Sequence, residues 1–230
     1  MKKIIKLFAL FSFVALIFTS CGSSKILTKQ EIYPHIYSER PLAIAIMPPI
    51  NKTNNVEAKE FLYVTLSKPL SEKGYYVLSP FLCMEMYKSE SAYDAEMYIN
   101  NPVGQFGKVL GADAVLFTTI VKWEKAALVS SIYVEIEYLL KSTHTNEILF
   151  ERKGHITYDA SVNSGSNGLL GALVDLAASA INTAATNHVK VARICNAYTL
   201  SDIPAASYSP IFDTDQKMPA GQKIFTQTVR

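Results

Sequence analysis

The sequence predicts an α/β domain: a mixed sheet of about five strands with helices packed on it and an antiparallel hairpin at one side. Three observations carry the prediction. Apolar runs alternate with helical periods in the order strand, helix, strand, helix, strand between residues 42 and 122, the rhythm of βαβ units. A period of two then runs from 128 to 158 with a turn in its middle. The 230 residues are 49% hydrophobic, 11% aromatic and 18% charged, enough for one core-forming domain and too apolar for a disordered chain.

Residues 1–20 read as an address. Lys2, Lys3 and Lys6 precede an apolar run that reaches Phe18, the make-up of a secretory signal peptide rather than of a structural helix. Phe18-Thr19-Ser20-Cys21 resembles a bacterial lipobox, with Phe18 where Leu is usual. By that resemblance Cys21 is the lipidation site and first mature residue, carrying a thioether-linked diacylglyceride and an amide-linked acyl chain. One acyl chain anchors marginally and several anchor stably. The alternative is a plain cleaved signal followed by a coincidental cysteine. Residues 21–40 read as a lipidated flexible tether: Gly22, Ser23 and Ser24 are followed by no clear period, and Tyr33-Pro34 and Arg40-Pro41 mark turns or extended chain.

Residues 41–200 are the predicted α/β lipoprotein domain. The run 42–47, closed by Pro48-Pro49, fits a strand buried on both faces. Asn51, Thr53, Asn54 and Asn55 form a polar loop whose later members suit a helix cap. Val56, Phe61, Leu62, Leu66 and Leu70 then recur on one helical face, with a kink or break expected at Pro69 and a stop at Gly74. A short strand at 75–78 ends at Ser79-Pro80. Helices are expected over 81–99, with an interruption near 89–92, and over about 102–110, before a strand at 112–122. In the hairpin, Ile132, Val134, Ile136, Tyr138 and Leu140 alternate with Tyr133, Glu135 and Glu137, and Ile148, Phe150, Ile156 and Tyr158 oppose Glu151, Lys153 and His155. After a polar loop at 159–168, a helix over 169–192 gathers Leu170, Leu173, Val174, Ala177, Ile181, Ala184 and Ala185 into one apolar stripe. Covering a sheet face is the expected use of that stripe, with a close helix–helix contact in an oligomer or membrane-associated bundle as the alternative. Residues 201–230, with Pro204, Pro210 and Pro219, read as an irregular C-terminal tail.

Chemistry-bearing motifs are sparse. The glycines at 165, 168 and 171 precede a helix, but no Lys-Ser/Thr follows, so flexible helix entry is the reading over anion binding. His35, His144, His155 and His188 are scattered with no HExxH, and solvation is the expectation for His144 and His155. Cys83, Met84 and Met86 diverge at helical spacing and read as core filling rather than a soft metal site. Glu135 and Glu137 beside Lys153 read as a solvated strand face. No GxSxG elbow is present. No catalytic residue, cofactor site or metal site is therefore assigned. Cys83 and Cys195 are either a disulfide or two buried thiols. Without residues 1–20 the chain holds 19 basic and 20 acidic residues, a formal −1, which offers no electrostatic footprint for nucleic acid.

Four segments together resemble a known family: PLAIAIMPPINKTNNVEAKE (41–60), PLSEKGYYVLS (69–79), GADAVLFTTIVKW (111–123) and SGSNGLLGALVDLAASAI (164–181). In this order after a lipobox-like cysteine, they resemble the bacterial lipoprotein family that includes a meningococcal vaccine-candidate antigen. The resemblance spans about residues 40–200. It implies a fold like the amino-terminal domain of TolB, related to the periplasmic domain of the curli secretion lipoprotein CsgG. It further implies a non-catalytic module anchored in the cell outer membrane through Cys21, on its periplasmic face. Its partners would be other envelope lipoproteins or secretion components, with a homodimer among the assemblies. The alternatives are a subunit of an oligomeric CsgG-like secretion apparatus, or an envelope small-ligand binder or enzyme using loops 51–55 and 163–168. A pore of the CsgG type needs two amphipathic hairpins, and the sequence shows one.

Overall fold

The computed structural model describes residues 26–91, 93–163 and 169–230. Its centre is a mixed seven-stranded sheet: β1 (Ala43–Ile46), β2 (Ile50–Asn51), β3 (Tyr76–Val77), β4 (Ala114–Ala126), β5 (Ser131–Ser142), β6 (Ile148–Asp159) and β7 (Ile224–Val229). The spatial order is β3-β1-β4-β5-β6-β7, and β2 continues the β1 edge of β4. Pro48 and Pro49 lack the N–H that the ladder needs, so one extended run becomes two short strands. β1 and β3 are parallel, as are β1 and β4, while β4, β5 and β6 form an antiparallel meander.

Five strands lie where the sequence placed them, and two do not. β2 falls in the expected polar loop. β7 falls in the expected irregular tail and pairs parallel with β6 from Lys153↔Ile224 to Tyr158↔Val229.

The helices are α1 (Lys29–Ile32), α2 (Pro34–Glu39), α3 (Val56–Thr65), α4 (Ser67–Glu72), α5 (Pro80–Ser89), α6 (Glu96–Ile99), α7 (Gly104–Leu110), α8 (Leu169–Ala185) and α9 (His188–Leu200). Asn55 caps α3, its side chain accepting from the Ala58 N–H at 3.2 Å. The break expected at Pro69 comes at Leu66 instead. The pyrrolidine ring obstructs the carbonyl four residues earlier, so the helix interrupts ahead of the proline. Gly74, at φ +86°, ends α4. Any Cβ there would lie 2.3 Å from the Ser209 nitrogen, so both conformation and space require glycine. The single helix expected over 169–192 divides at Thr186-Asn187, where Asn187 is extended and caps α9 through the Val189 N–H.

One sheet face buries Ile44, Ile46, Leu116, Ile136, Tyr138, Leu140 and Phe150 against Leu62, Leu66 and Tyr33 of the flanking helices and Cys195 of α9. The Tyr138 hydroxyl donates to Asn196 Oδ1 at 2.5 Å, and the Asn196 amide donates to Leu62 O and Thr65 Oγ1, which satisfies each polar group at that contact. Among the described residues, the opposite face is covered on the β1/β4 side, where Val115 and Phe117 pack with Cys83, Tyr87 and Phe106. Beyond it the meander is open to solvent.

The first and last described segments are part of this body. Thr28 and Glu31 form a reciprocal capping box that starts α1. Lys29 is buried and pairs with the fully buried Asp215 at 3.3 Å. Tyr37 donates to Asp215 Oδ1 and the Ala205 N–H to Oδ2, at 3.0 and 2.9 Å. Tyr33 donates to Asp202 at 2.5 Å, and Gly221 N–H donates to the other oxygen of that carboxylate. Thus part of the expected flexible tether and the expected irregular tail clamp each other, because each supplies the partners that the other's buried polar groups require.

Candidate interaction surfaces

α8 carries the apolar stripe that the sequence predicts, and turns it away from the body. The side that meets the protein is polar and small. Ser179 and Thr183 are buried; Ser179 Oγ accepts from Val162 N–H at 2.8 Å, and Asn182 donates to Ala160 O at 2.7 Å. Lys125 donates to Ala184 O and Thr186 O, satisfying carbonyls at the helix C-terminus. Leu173, Val174 and Ile181 are 55%, 55% and 70% exposed. Beside α8, the 3₁₀ turn Ala127–Val129 adds Leu128 and Val129, at 89% and 61%. The expected covering of the sheet is done by α3 and α9 instead. The amphipathic period was legible, but a period does not say which face meets the body.

At the same end of the sheet, His188 lies between Phe61 and Trp123, with ring centroids 5.9 and 5.6 Å away, and its Nδ1 is 3.4 Å from Asn55 Nδ2. Burial and then the nearby Lys125 charge lower its pKa, against a smaller opposing effect of Glu57. This environment brings the 51–55 loop to the start of α9. The loop is legible in the sequence, whereas His188 reads there as one of four scattered histidines. The aromatic partners are 65 and 127 positions away, and no local pattern announces them.

The solvent face of the meander is an ion-pair lattice. Lys153 Nζ lies 2.6 Å from Glu135 and 2.9 Å from Glu137, and His155 Nδ1 lies 3.4 Å from Glu135. Lys223 pairs with Glu151 at 2.5 Å. The Lys153 hydrogen bond holds the Glu135 carboxyl below its ordinary range, outweighing its burial. A hollow of about 230 Å³ opens beside this lattice between Phe117, Leu139, Glu137 and Ile224. Its acidic groups are neutralised by lysines on the adjacent strand, which suits a hydrated surface more than a proton-transfer pair.

The remaining predicted residues separate. Cys83 and Cys195 are free and sit in cores on opposite faces of the sheet. Burial pushes the Cys83 thiol up and the Cys195 thiol up to about 12, so both are protonated and inert at neutral pH. Met84 packs toward the core that holds Cys195, while Met86 is 40% exposed, so the soft residues do diverge. His144 is exposed and lies 3.3 Å from Asp113. Asp113 itself accepts from the Leu42 and Ala43 N–H groups. Burial would raise its carboxyl, but those bonds outweigh it and the net shift is downward. Cys21 and the glycines at 165 and 168 lie outside the described residues. Among the described residues no three His, Cys, Asp or Glu side chains converge, and no helix is long and apolar enough to cross a membrane.

Comparison with known proteins gives one consistent kinship. A family model described as "Putative lipoprotein GNA1162-like" matches residues 32–208. The "Putative lipoprotein NMB1124/NMB1162" of Neisseria meningitidis serogroup B is 26% identical over 162 residues, 67% of this chain and 72% of that protein. The crystal structure of lipoprotein GNA1162 from Neisseria meningitidis is similar with a TM-score of 0.47 at 24% identity, over 64% of this chain and 100% of that one. A PelC dodecamer from Paraburkholderia phytofirmans gives a TM-score of 0.40 at 15% identity, over 73% of this chain and 90% of its own.

Proposed function

This chain belongs to the GNA1162-like lipoprotein family, and from that membership we propose a non-catalytic binding and assembly module, lipid-anchored in the outer membrane and facing the periplasm, that serves envelope biogenesis or secretion. The observation that carries the reading is Cys21, set directly after an apolar leader in a chain of a lipoprotein family. The fold supports it from the other side. Thr28 already caps α1 within the body, and Cys21 lies seven residues before it in sequence, a span of at most about 25 Å. A link that short keeps the domain at the lipid surface and raises its local concentration for partners held there.

The surfaces described above are suited to contact rather than turnover: an open charged sheet face and an outward apolar helix, with buried thiols and neutralised carboxylates. Cys21→Ser tests the anchor. The variant should leave the membrane fraction and lose incorporation of labelled palmitate. Continued sedimentation of the variant with the outer membrane overturns the anchor. Turnover of a defined substrate by the purified protein overturns the non-catalytic half.

A further inference from the structure

We propose that β7 is a docking edge for an extended segment of a different protein, β-branched in its middle and acidic at both ends, which adds to the sheet as a further strand. This rests on the binding-module reading above and names the chemistry of the partner.

The first argument is the main chain. β7 ends the spatial order of the sheet and pairs on one side, with β6. Lys153 N–H donates to Lys223 O at 2.8 Å, and main-chain groups alternate in direction along a strand, so residues 223, 225, 227 and 229 face β6. Ile224, Thr226 and Thr228 therefore turn their N–H and C=O groups outward. Among the described residues, these groups have one partner: the Gln227 amide, which donates to Thr228 O at 2.9 Å. Both groups of Ile224 and Thr226 and the N–H of Thr228 stay open to another strand.

The second argument is the lack of protection. Edges are ordinarily blunted by brevity, proline, a bulge or a charge on the strand. The opposite edge of the sheet, β3, is two residues long. β7 runs six residues, Ile-Phe-Thr-Gln-Thr-Val, with no proline, glycine or charge and no shift in its register with β6. Its Phe225 is buried, which holds the strand in place, while Ile224 is 61% exposed. A fixed, regular edge of this length is what strand addition uses.

The third argument selects the occupant. Lys223 and Arg230 bracket the strand, and no acidic residue lies between them. The Arg230 guanidinium donates to an uncharged acceptor, Ser161 O, at 2.7 Å. Two copies of this edge paired in either sense set cation toward cation, which is unfavourable. A segment with a carboxylate at each end meets a cation at each. Thr226 and Thr228 favour β-branched residues across from them. The edge also lies beyond residues 32–208, the stretch that the family model matches, so it is not part of what membership implies.

The test uses the purified full chain in detergent. The probe is a fluorescent peptide of alternating valine and threonine with a glutamate at each end. It should bind saturably by anisotropy, and residue-resolved amide exchange should slow at Ile224, Thr226 and Thr228. The same peptide methylated at every main-chain nitrogen between the glutamates cannot donate to the edge and should not bind. Thr226→Pro removes an outward N–H and leaves the β6 ladder intact, so affinity should fall about tenfold with the melting temperature held. Lysines in place of the two glutamates should weaken binding, most at low salt. Failure of the peptide to saturate overturns the proposal. So does equal binding of the methylated form, undiminished binding to Thr226→Pro, or protection confined to another surface such as α8. Exchange at the three amides that slows with protein concentration alone would mean that a second copy fills the edge, and overturns it too. If Thr226→Pro unfolds, the methylated peptide on the wild-type chain still decides. Fractionation of Cys21→Ser and substrate turnover read the earlier proposal and edge protection reads this one, so failure of one is distinguishable from failure of the other.

Discussion

At the joined chain ends, charged side chains point inward: Lys29, Asp215 and Asp202 are buried, and each carboxylate accepts from two or more groups on distant segments. In α8 the reverse holds, with Ser179 and Thr183 inward and Leu173, Val174 and Ile181 in water. The difference lies in what each region has to satisfy. A buried carboxylate is tolerable only with its partners in place, so the clamp is self-contained. An apolar stripe violates no hydrogen-bonding demand, and the fold can hold it outward at a cost in exposed area that a partner would recover.

The largest effect is expected in the clamp. Asp215→Ala leaves the Lys29 ammonium buried without its counter-charge and deprives Tyr37 and the Ala205 N–H of an acceptor. Breaking one side of such a pair costs about 3–5 kcal/mol. For a chain of this length that is a fall in melting temperature of about 10 °C. Lys29→Met combined with Asp215→Ala should lose less than the single change, because the stranded charge is gone. A double variant no better than Asp215→Ala would show that Asp215 matters through Tyr37 and Ala205 alone.

A polarity exchange within α8 is the next measure of the contrast. Ser179→Leu forces a larger apolar group into a buried site and removes the acceptor of the Val162 N–H, at a cost of about 1–3 kcal/mol. Leu173→Ser, on the outer stripe, should change the stability of the isolated chain by about 0.5 kcal/mol or less, measured at a protein concentration low enough to leave it monomeric. An ordinary amphipathic helix would give the opposite ranking. Urea denaturation of the two variants decides it, and a costly Leu173→Ser paired with a harmless Ser179→Leu would mean the stripe faces the body.

This contrast also explains what could be read in advance. The meander was legible because alternation over Ile132–Leu140 and Phe150–Tyr158 states both strand type and buried face at once; Ile148, expected on the same face, lies beyond the register shift at Leu140/Lys141 and is exposed. β1 was legible because a continuous apolar run demands cover on both sides. The clamp was not, since Asp215 finds its partner 186 positions away, and a local window sees only prolines and polar residues around it. One local sign is present in the sequence: Thr28-Lys29-Gln30-Glu31 is a capping box, enough to start a helix in the expected tether. β7 shows β-branched alternation in Ile224, Thr226 and Thr228, but the prolines upstream obscured it. For α8 the pattern was read correctly and its direction was not, because a 3.6-residue period is unchanged by turning the helix over.

The smallest expected effect is a pH slope at the α8 end of the sheet. His188 is held between Phe61 and Trp123, and its pKa in the folded protein is below the ordinary value of 6.5. The unfolded chain therefore takes up the proton first as pH falls. The contribution of neutral His188 to stability is fully present above about pH 6.5 and declines through the interval down to the lower folded value. Melting temperature should accordingly tilt downward between pH 7 and pH 5. His188→Gln, which keeps a planar polar group but cannot titrate, should flatten that tilt. The carboxyls of Asp113 and Glu135 also sit below their ordinary range, so their own losses come at lower pH and do not mimic it. An unchanged slope in His188→Gln would mean that the stacked ring accepts its proton without leaving the aromatic pair, and that this end of the sheet is as tolerant of charge as the open ion-pair face.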